Sequence, residues 1–586
     1  MGTNAFRTEP RLPGRWPTAA LLAFFLVAQA QARTWHVTHK PLAGIDPNSQ
    51  IRTISESAAR LGPGDTVLVH GGIYREQVII DRSGQPEQPI TLQAAEGERV
   101  VLTGADRITD WSPVQGEDRV YSTRWPHKFV AWNKSQAHPD DDYHRVIGRC
   151  EQVFIDGYPL RQVLERSKLS RGTFFADTDA RLLYIQPAGN QEVGGDKAMV
   201  EASTRDRILT VKGSHVAVKG ICFRYAANHA QQGAVEFSGS HITVEDCIFE
   251  YTNASGAEFT GPDITVRNCT FQHNGQLGFG ANRAHRLRMT GCTIRDNSTK
   301  GFDRGWEAGG NNICMTRGAI LEDSTVIENR GNGIWFDIGN EDCEVHNCLI
   351  ANNENAGIFY EISYGLHAHD NVIVGNGFAF TPGAWGAAAG ISLSSSPSCT
   401  IERNLILGNK EGFNFREQLR TTPRIDGKSE PVWNHDQTIR NNVLAWNRDA
   451  QVWGWFDVSD ERHWPKSMQA GQPISRPPDK ESKDASSKPT DLSLEDLKLT
   501  FEDNLYCPGP GQGLFNWGVT WKKHKKYDSL DAVQSELSLA KGSKVAEFRT
   551  EDYSAFDLRV PPDSPAVIMD CYPRGSVPGT RLGTLR

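Results

Sequence analysis

NRGNGIWFDIGNEDCEVHNCLIANNENAGIFYEIS, residues 329–363, states one phrase twice. GIWFDIG (333–339) and GIFYEIS (357–363) stand 24 residues apart, and each closes its apolar run on an acid, Asp337 in the first and Glu361 in the second. Outward from this stretch, Cys222, Cys247, Cys269, Cys292, Ser324, Cys348, Asn371 and Asn404 each open a short β-branched or apolar phrase: CFR, CIF, CTF, CTI, STV, CLI, NVI, NLI. A second column runs through Asn274, Asn297, Asn329, Asn353, Asn376, Asn409 and Asn447, and Gly278, Gly301, Gly333 and Gly357 each fall four residues after a column asparagine. Most steps span 22–25 residues, and the longer ones imply loops between coils. A period in the twenties built from short strands indicates a solenoid. The leucine-and-asparagine signature of leucine-rich repeats is absent, so the expected fold is all-β, a right-handed parallel β-helix.

In such a coil, equivalent residues stack at the ~4.8 Å strand spacing. The column cysteines then act as small buried hydrophobes. The column asparagines hydrogen-bond along the axis at turns, where Asn tolerates the left-handed region. Eleven cysteines is an odd number. With their regular spacing, this argues against the disulfide framework an exported chain would otherwise suggest.

At 586 residues the chain is too long for one ordinary compact core, whereas an elongated repeat fold has no such ceiling. Residues 1–32 read as a signal peptide: Arg7, Arg11 and Arg15 precede an apolar run over 19–28, and Ala28-Gln29-Ala30 and Ala30-Gln31-Ala32 are small-x-small cleavage sites. The expected location is secreted or periplasmic, with no stable membrane span after cleavage at 30 or 32. Residues 33–106 form an N-terminal cap and the first coils. The amphipathic stretch 51–61 is a capping helix, ended by Gly62-Pro63-Gly64-Asp65, that protects the open coil edge. Over 107–205 the period gives way to alternating phrases such as QVFIDGYPL and GTFFADTDARLLYI, which read as hairpins of an inserted small β-sandwich. Residues 206–450 are the main β-helix. Residues 451–500, rich in Pro, Ser, Lys and Asp, are an exposed loop or linker. Residues 501–586 hold a last coil, a helix near 529–537 and an irregular closing segment. The formal charge is −8, about −10 once the leader is removed. No basic stripe runs along the chain, so nucleic acid is not expected as a partner.

Strand alternation sorts the doubled phrase into two faces. Ile334 and Phe336, with Ile358 and Tyr360 stacked on them, face the core. Trp335 and Asp337, then Phe359 and Glu361, face out. In the same register Gly280 and Asn282 lie below, and Ser392, Ser394, Asn414 and Arg416 above. Aromatic rings beside carboxylates suit a carbohydrate site, where a ring stacks on sugar C–H groups and acids move protons or attack. Two stacked carboxylates cannot both ionise cheaply, so one pKa is expected to rise. The rung spacing approximates the ~5–5.5 Å separation of a retaining glycosidase pair. Glu307 lies in GWEAGG (305–310), where the coil bulges. Trp306 beside it is a cleft wall or a loop ring packed on the solenoid, and Asp303 aligns with the aromatic column. Arg416 either holds substrate or pairs with an acid. His367 and His369 alternate across Ala368 and face out, but no metal-ligand set or cofactor motif emerges.

These residues resemble a known group. The β-helix, the inserted sandwich and the phrases WFD (335–337) and YEISYG (360–365) are similar to secreted β-helix glycosidases, closest to the xylosidases of glycoside hydrolase family 120. The resemblance implies Asp337 as nucleophile and Glu361 as acid/base. The reading of the residues around them makes Trp335, Phe359, Glu307, Trp306, Asp303, Asn282, Tyr364 and Arg416 the expected contacts of an oligo- or polysaccharide substrate. The chain departs from that pattern at Asn311 and Asn312, which follow AGG where related sequences carry Lys. Two other readings stay open: a polysaccharide lyase or uronate epimerase using Arg416 and Tyr364, and a non-catalytic glycan-binding solenoid.

Overall fold

The computed structural model describes residues 32–129, 148–195, 197–379, 388–417, 420–456, 497–519 and 523–582. The leader and most of the 451–500 linker lie outside them. The chain is a right-handed parallel β-helix. Among the described residues, three long sheets of 14, 13 and 13 strands run the length of the molecule, and strands from successive coils pair in parallel; the third sheet closes on an antiparallel strand, Lys523–Tyr527. One coil reads Thr243–Glu245 in the first sheet, Ile248–Glu250 in the second and Ser255–Phe259 in the third. The next repeats it as Thr265–Arg267, Thr270–Gln272 and Leu277–Asn282. Crossovers between parallel strands take the right-handed path because twisted strands pack back on the sheet only that way.

The core is a stack of like on like. Phe223, Phe249 and Phe271 succeed one another with centroids 5.2 and 4.8 Å apart. Cys247, Cys269, Cys292 and Cys348 are buried free thiols. Burial pushes Cys292 and Cys348 up to about 12, with the charges of Asp323 and Glu322 adding to the effect at Cys348, so they stay protonated and inert.

The asparagine column forms an unbroken amide chain. Asn274, Asn297, Asn329, Asn353, Asn376 and Asn409 each donate Nδ2–H to the next Oδ1 at 2.9–3.1 Å, ending on Asn447. A second chain runs Asn371, Asn404, Asn442, Asn504, taking over the column that the cysteines occupy earlier. One expectation needs correcting: the column asparagines do not adopt the left-handed conformation. The residue before each one does, as at His273, Asp296, Glu328 and Asn352, with φ of 53–58°. That residue turns the corner, and the asparagine after it points inward to bond the freed backbone groups.

At the N-terminal end a short helix, α1 (Ile54–Ala58), buries Ile54 and Ala58 against the first coil, with the Thr53 side chain capping Glu56 N. It is shorter than expected because Ile51 belongs to a strand, Gln50–Ile51. Between Thr103 and Leu209 a five-stranded and a four-stranded sheet enclose a core of Trp111, Trp125, Val153, Phe174, Leu183 and Val200. Near the C-terminus the helix α2 (Leu530–Leu537) is capped by Ser529. The closing segment lays Phe548, Leu558, Val560, Tyr572 and Val577 over the outer face of the second sheet, on Leu349, Val372, Leu405 and Val443. No helix among the described residues is long and apolar enough to cross a membrane.

The amide chain predicts a large cost for breaking one link. Asn353→Ala removes the acceptor of Asn329 N–H and of one Asn329 Nδ2–H, and the side-chain donor to Val326 O and Asn376 Oδ1, all buried. Unfolding in urea should show a loss of about 2–4 kcal/mol; a loss under 0.5 kcal/mol would mean the column is not structural.

Candidate active site

Asp337 and Glu361 are the last residues of third-sheet strands Ile334–Asp337 and Ile358–Glu361. The pairing Ile334–Ile358, Trp335–Phe359, Phe336–Tyr360 runs directly into them, and Gly339 N–H bonds Ile362 O at 2.8 Å just beyond. The acids therefore occupy adjacent rungs. After each the chain turns through a β-branched residue in the left-handed region, Ile338 at φ 53° and Ile362 at φ 39°. That conformation costs on the order of 1 kcal/mol or more. Met315 and Ser395 hold the same corner on the flanking coils, so the strain belongs to a turn that ends all four strands and presents Cys314, Asp337, Glu361 and Ser394 in one row. Asn282 and Arg416 extend it, Asn282 opposite Cys314 and Arg416 opposite Ser394.

This face is largely withdrawn from water. Glu361 is 8 % exposed, and Ser392, Ser394 and Asn414 are fully buried although they face out of the coil. Burial pushes the Asp337 carboxyl well above the usual carboxylate range. The charges of Glu361 and Glu307 push it the same way, and Arg420 offsets part of the effect. Burial raises Glu307 as well, and its Oε2 accepts from Gln231 Nε2 at 2.8 Å. The Cys314 thiol is held far above its normal range by burial and by the charges of Asp337, Glu307 and Glu361. It stays neutral, with Sγ 2.9 Å from Asn312 Oδ1. Glu361 and Glu307 thus both bear on Asp337 electrostatically, and the bulge at 305–310 brings Glu307 to the pair.

The cation at the site is one sequence reasoning missed. Arg420 is ion-paired to Glu361 Oε1. It stands on a hairpin, Arg420–Pro423 with Ser429–Val432, that rises between coils. Glu341 ties the hairpin down by accepting from Arg424 Nε at 2.7 Å and Ile425 N at 3.1 Å. The turn was legible in Asp426-Gly427, a strong hairpin signal, with Gly427 at φ 85°. Nothing in the sequence shows that its first strand leans toward Glu361.

Other expected positions fall differently. Trp335 and Phe359 point outward but are only 4 % and 3 % exposed. Their rings pack on each other at 5.4 Å, with Ala356 alongside. The open stacking platform expected for a sugar is therefore not there: large rings on adjacent rungs bury more apolar area against each other than either would in solvent. Trp306 packs on Phe302 at 5.9 Å, in a small cluster with Ala230 and Ala308. Asp303 caps its own loop by accepting from Gly305 N at 2.6 Å. Tyr364 lies under Arg424, 4.0 Å from guanidinium to ring centre, and lines a hollow of about 440 Å³ with Trp433, Glu430 and His435. Around the acids, Asn312 Nδ2, Trp335 Nε1 and Ser394 Oγ are buried and have no hydrogen-bond partner among the described residues.

The model of the family described as "Right handed beta helix region" matches residues 208–313 and 232–406. No curated protein matches the chain. Among solved structures it is similar to "The complex structure of XylC with xylose", at 18 % identity over 82 % of this chain and 85 % of that one, with a TM-score of 0.58. A structure described as "Glycoside hydrolase" aligns at 14 % identity over 65 % and 94 %, TM-score 0.48. Pectate lyase Pel9A aligns at 15 % over 64 % and 80 %, TM-score 0.35. At these identities the likeness is one of fold.

The raised Asp337 carboxyl has a consequence for stability. The folded chain binds this proton more tightly than the unfolded one. The stability it contributes is complete below the unfolded pKa of about 3.9 and is lost as pH rises toward the higher folded value. Asp337→Asn is therefore expected to raise Tm at about pH 7 by roughly 1–3 °C, with the gain vanishing near pH 4. A calorimetric melt showing the same shift at both pH values would contradict it.

Proposed function

We propose that this protein is a retaining glycoside hydrolase acting on oligo- or polysaccharides, with Asp337 and Glu361 as the catalytic pair. The observation that carries the reading is two carboxylates on adjacent rungs of one withdrawn face. Their ~4.8 Å rung spacing is near the ~5–5.5 Å separation of a retaining pair and below the wider gap of an inverting one. Asn312 Nδ2, Trp335 Nε1 and Ser394 Oγ, polar and without a hydrogen-bond partner among the described residues, are the groups this reading gives to sugar hydroxyls. A lyase or epimerase reading relied on Arg416 and Tyr364, but Tyr364 is turned to Arg424 on the hairpin, and no observation favours that reading.

The resemblance assigns attack on the anomeric carbon to Asp337 and proton transfer to Glu361. In the free protein the electrostatics lean the other way: Asp337 is the carboxyl driven toward its neutral form, and Glu361 carries the arginine. A coupled pair shares its proton as a unit. The assignment stands if substrate entry displaces Arg420 and lets the proton pass to Glu361. The substrate approaches Asp337, Glu361 protonates the leaving oxygen, and the resulting carboxylate then activates water against the covalent intermediate.

Azide decides between the roles. Asp337→Ala should lower kcat/KM on aryl glycosides, with aryl xylosides tried first, by roughly 10³-fold or more. Azide should then restore turnover and yield the glycosyl azide of inverted configuration. In Glu361→Ala the azide product should keep the substrate's configuration. The opposite pairing of products would exchange the two roles, and full activity in either variant would remove the reading altogether.

Arg420→Met removes the cation that holds Asp337 down. The limb of the kcat/KM pH profile set by Asp337 should move to higher pH. An unmoved profile would separate Arg420 from the catalytic pair.

A further inference from the structure

One corner beyond the acids, on the outer face of the first sheet, the chain assembles a second group of titratable side chains. Strand Glu344–His346 lies beside strand His367–His369, with Glu344 opposite His367 and His346 opposite His369. Alternation sends Ala368 into the core and both flanking histidines out. One ligand atom from each of Glu344, His367 and His369 lies within 4.8 Å of the other two.

His369 is held at both nitrogens: Nδ1 is 2.7 Å from Asp370 Oδ2, and Nε2 is 2.9 Å from Glu344 Oε1. Ionised carboxylates only accept. A neutral imidazole has one N–H, so it satisfies one of these neighbours and aims a lone pair at the other. Two species resolve the conflict. One is an imidazolium. The other is a neutral ring that donates Nδ1–H to Asp370 and binds a cation between Nε2 and Glu344, the arrangement of a histidine metal ligand oriented by a carboxylate.

The surrounding charges favour a site at Glu344. Glu322 is paired with Arg288, Glu402 with Arg403 and Arg440, and Asp370 with Arg403. Among the described residues, the ion-pair partners of Glu344 are His346 and His369. His367 Nε2 also reaches Glu402 Oε1 at 3.2 Å. What remains is one carboxylate among three imidazoles, a nitrogen-and-oxygen donor set suited to zinc-type divalent ions.

We propose that Glu344, His367 and His369 bind a divalent transition metal ion of the zinc class, which clips the coil carrying Asp337 to the coil carrying Glu361. Glu344 follows Asp337 by seven residues and His367 follows Glu361 by six, so the ion ties the two rungs together on the sheet next to the acids. Metal–ligand bonds of about 2.0–2.2 Å place tetrahedral ligands about 3.4 Å apart. The present spread, from 2.9 Å up to the 4.8 Å limit, brackets that value. The His367 side chain is 42 % exposed, which leaves an entry path and a fourth position for water. The sequence shows only the His367–Ala368–His369 half of the set, because Glu344 stands 23 residues before His367.

The proton is the competitor. Binding should therefore weaken as pH falls through the histidine range.

The test uses the untagged full chain, freed of metal with EDTA and titrated with Zn²⁺ by calorimetry at about pH 7.5. One ion per chain is expected, with a Kd of about 10 µM or tighter and a Tm rise of a few degrees at saturating zinc. His367→Ala and Glu344→Gln should each weaken binding by about 10-fold or more, while melting like the parent without zinc. Lowering the pH to about 5.5 should weaken it by a similar factor. The proposal is overturned if zinc does not bind saturably, or if both variants keep the parent's stoichiometry and affinity. In either case His369 is simply an imidazolium bridging two carboxylates.

Discussion

Parallel pairing of each strand with its equivalent one coil away is the constraint on which the structure depends. Every side chain meets its own counterpart at the ~4.8 Å repeat, so a residue is tolerated only if it is compatible with copies of itself. Phe on Phe, thiol on thiol and amide on amide meet that condition in the core. The amides do more than fill space. Each satisfies backbone groups at a corner where a left-handed residue would otherwise leave them unpaired, and that satisfaction keeps buried polar columns affordable in a hydrophobic interior.

The same rule becomes a device on the outer face. Stacking acid on acid is unfavourable, and the structure keeps Asp337 over Glu361 by enclosing them and supplying one cation from outside the repeat. Burial raises Asp337, Arg420 pairs with Glu361, and Glu307 enters from a bulged loop to add its own charge. The coil therefore contributes the acid pair, and the insertions between coils contribute the groups that set its protonation. The first sheet uses stacking differently: His346 and His369 stack ring on ring, with Glu322 and Glu402 on the rungs to either side and Glu344 beside His367.

The solenoid, its period, the inward columns and the adjacency of the two acids were all legible in the chain, because each is a repeating local pattern and parallel register carries it intact into three dimensions. Three things were not legible. The left-handed residue precedes each column asparagine because the corner, not the amide, needs the special backbone. Trp335 and Phe359 face out as alternation requires yet are buried, since alternation fixes direction and says nothing about cover. Arg420 reaches Glu361 across 59 residues, and Glu344 reaches the histidines from the neighbouring coil; neither contact has a local signature.

By itself, the sequence determined what stacks on what: a parallel β-helix with Asp337 beside Glu361 and His367 in line with His369. These follow from periodicity, because neighbours in the fold are one period apart in the chain. Only the tertiary structure decided which of these groups meet water, which cation faces which acid, and which carboxylate completes the histidine pair. Those outcomes depend on loops of irregular length, whose placement is set by packing and charge rather than by the repeat.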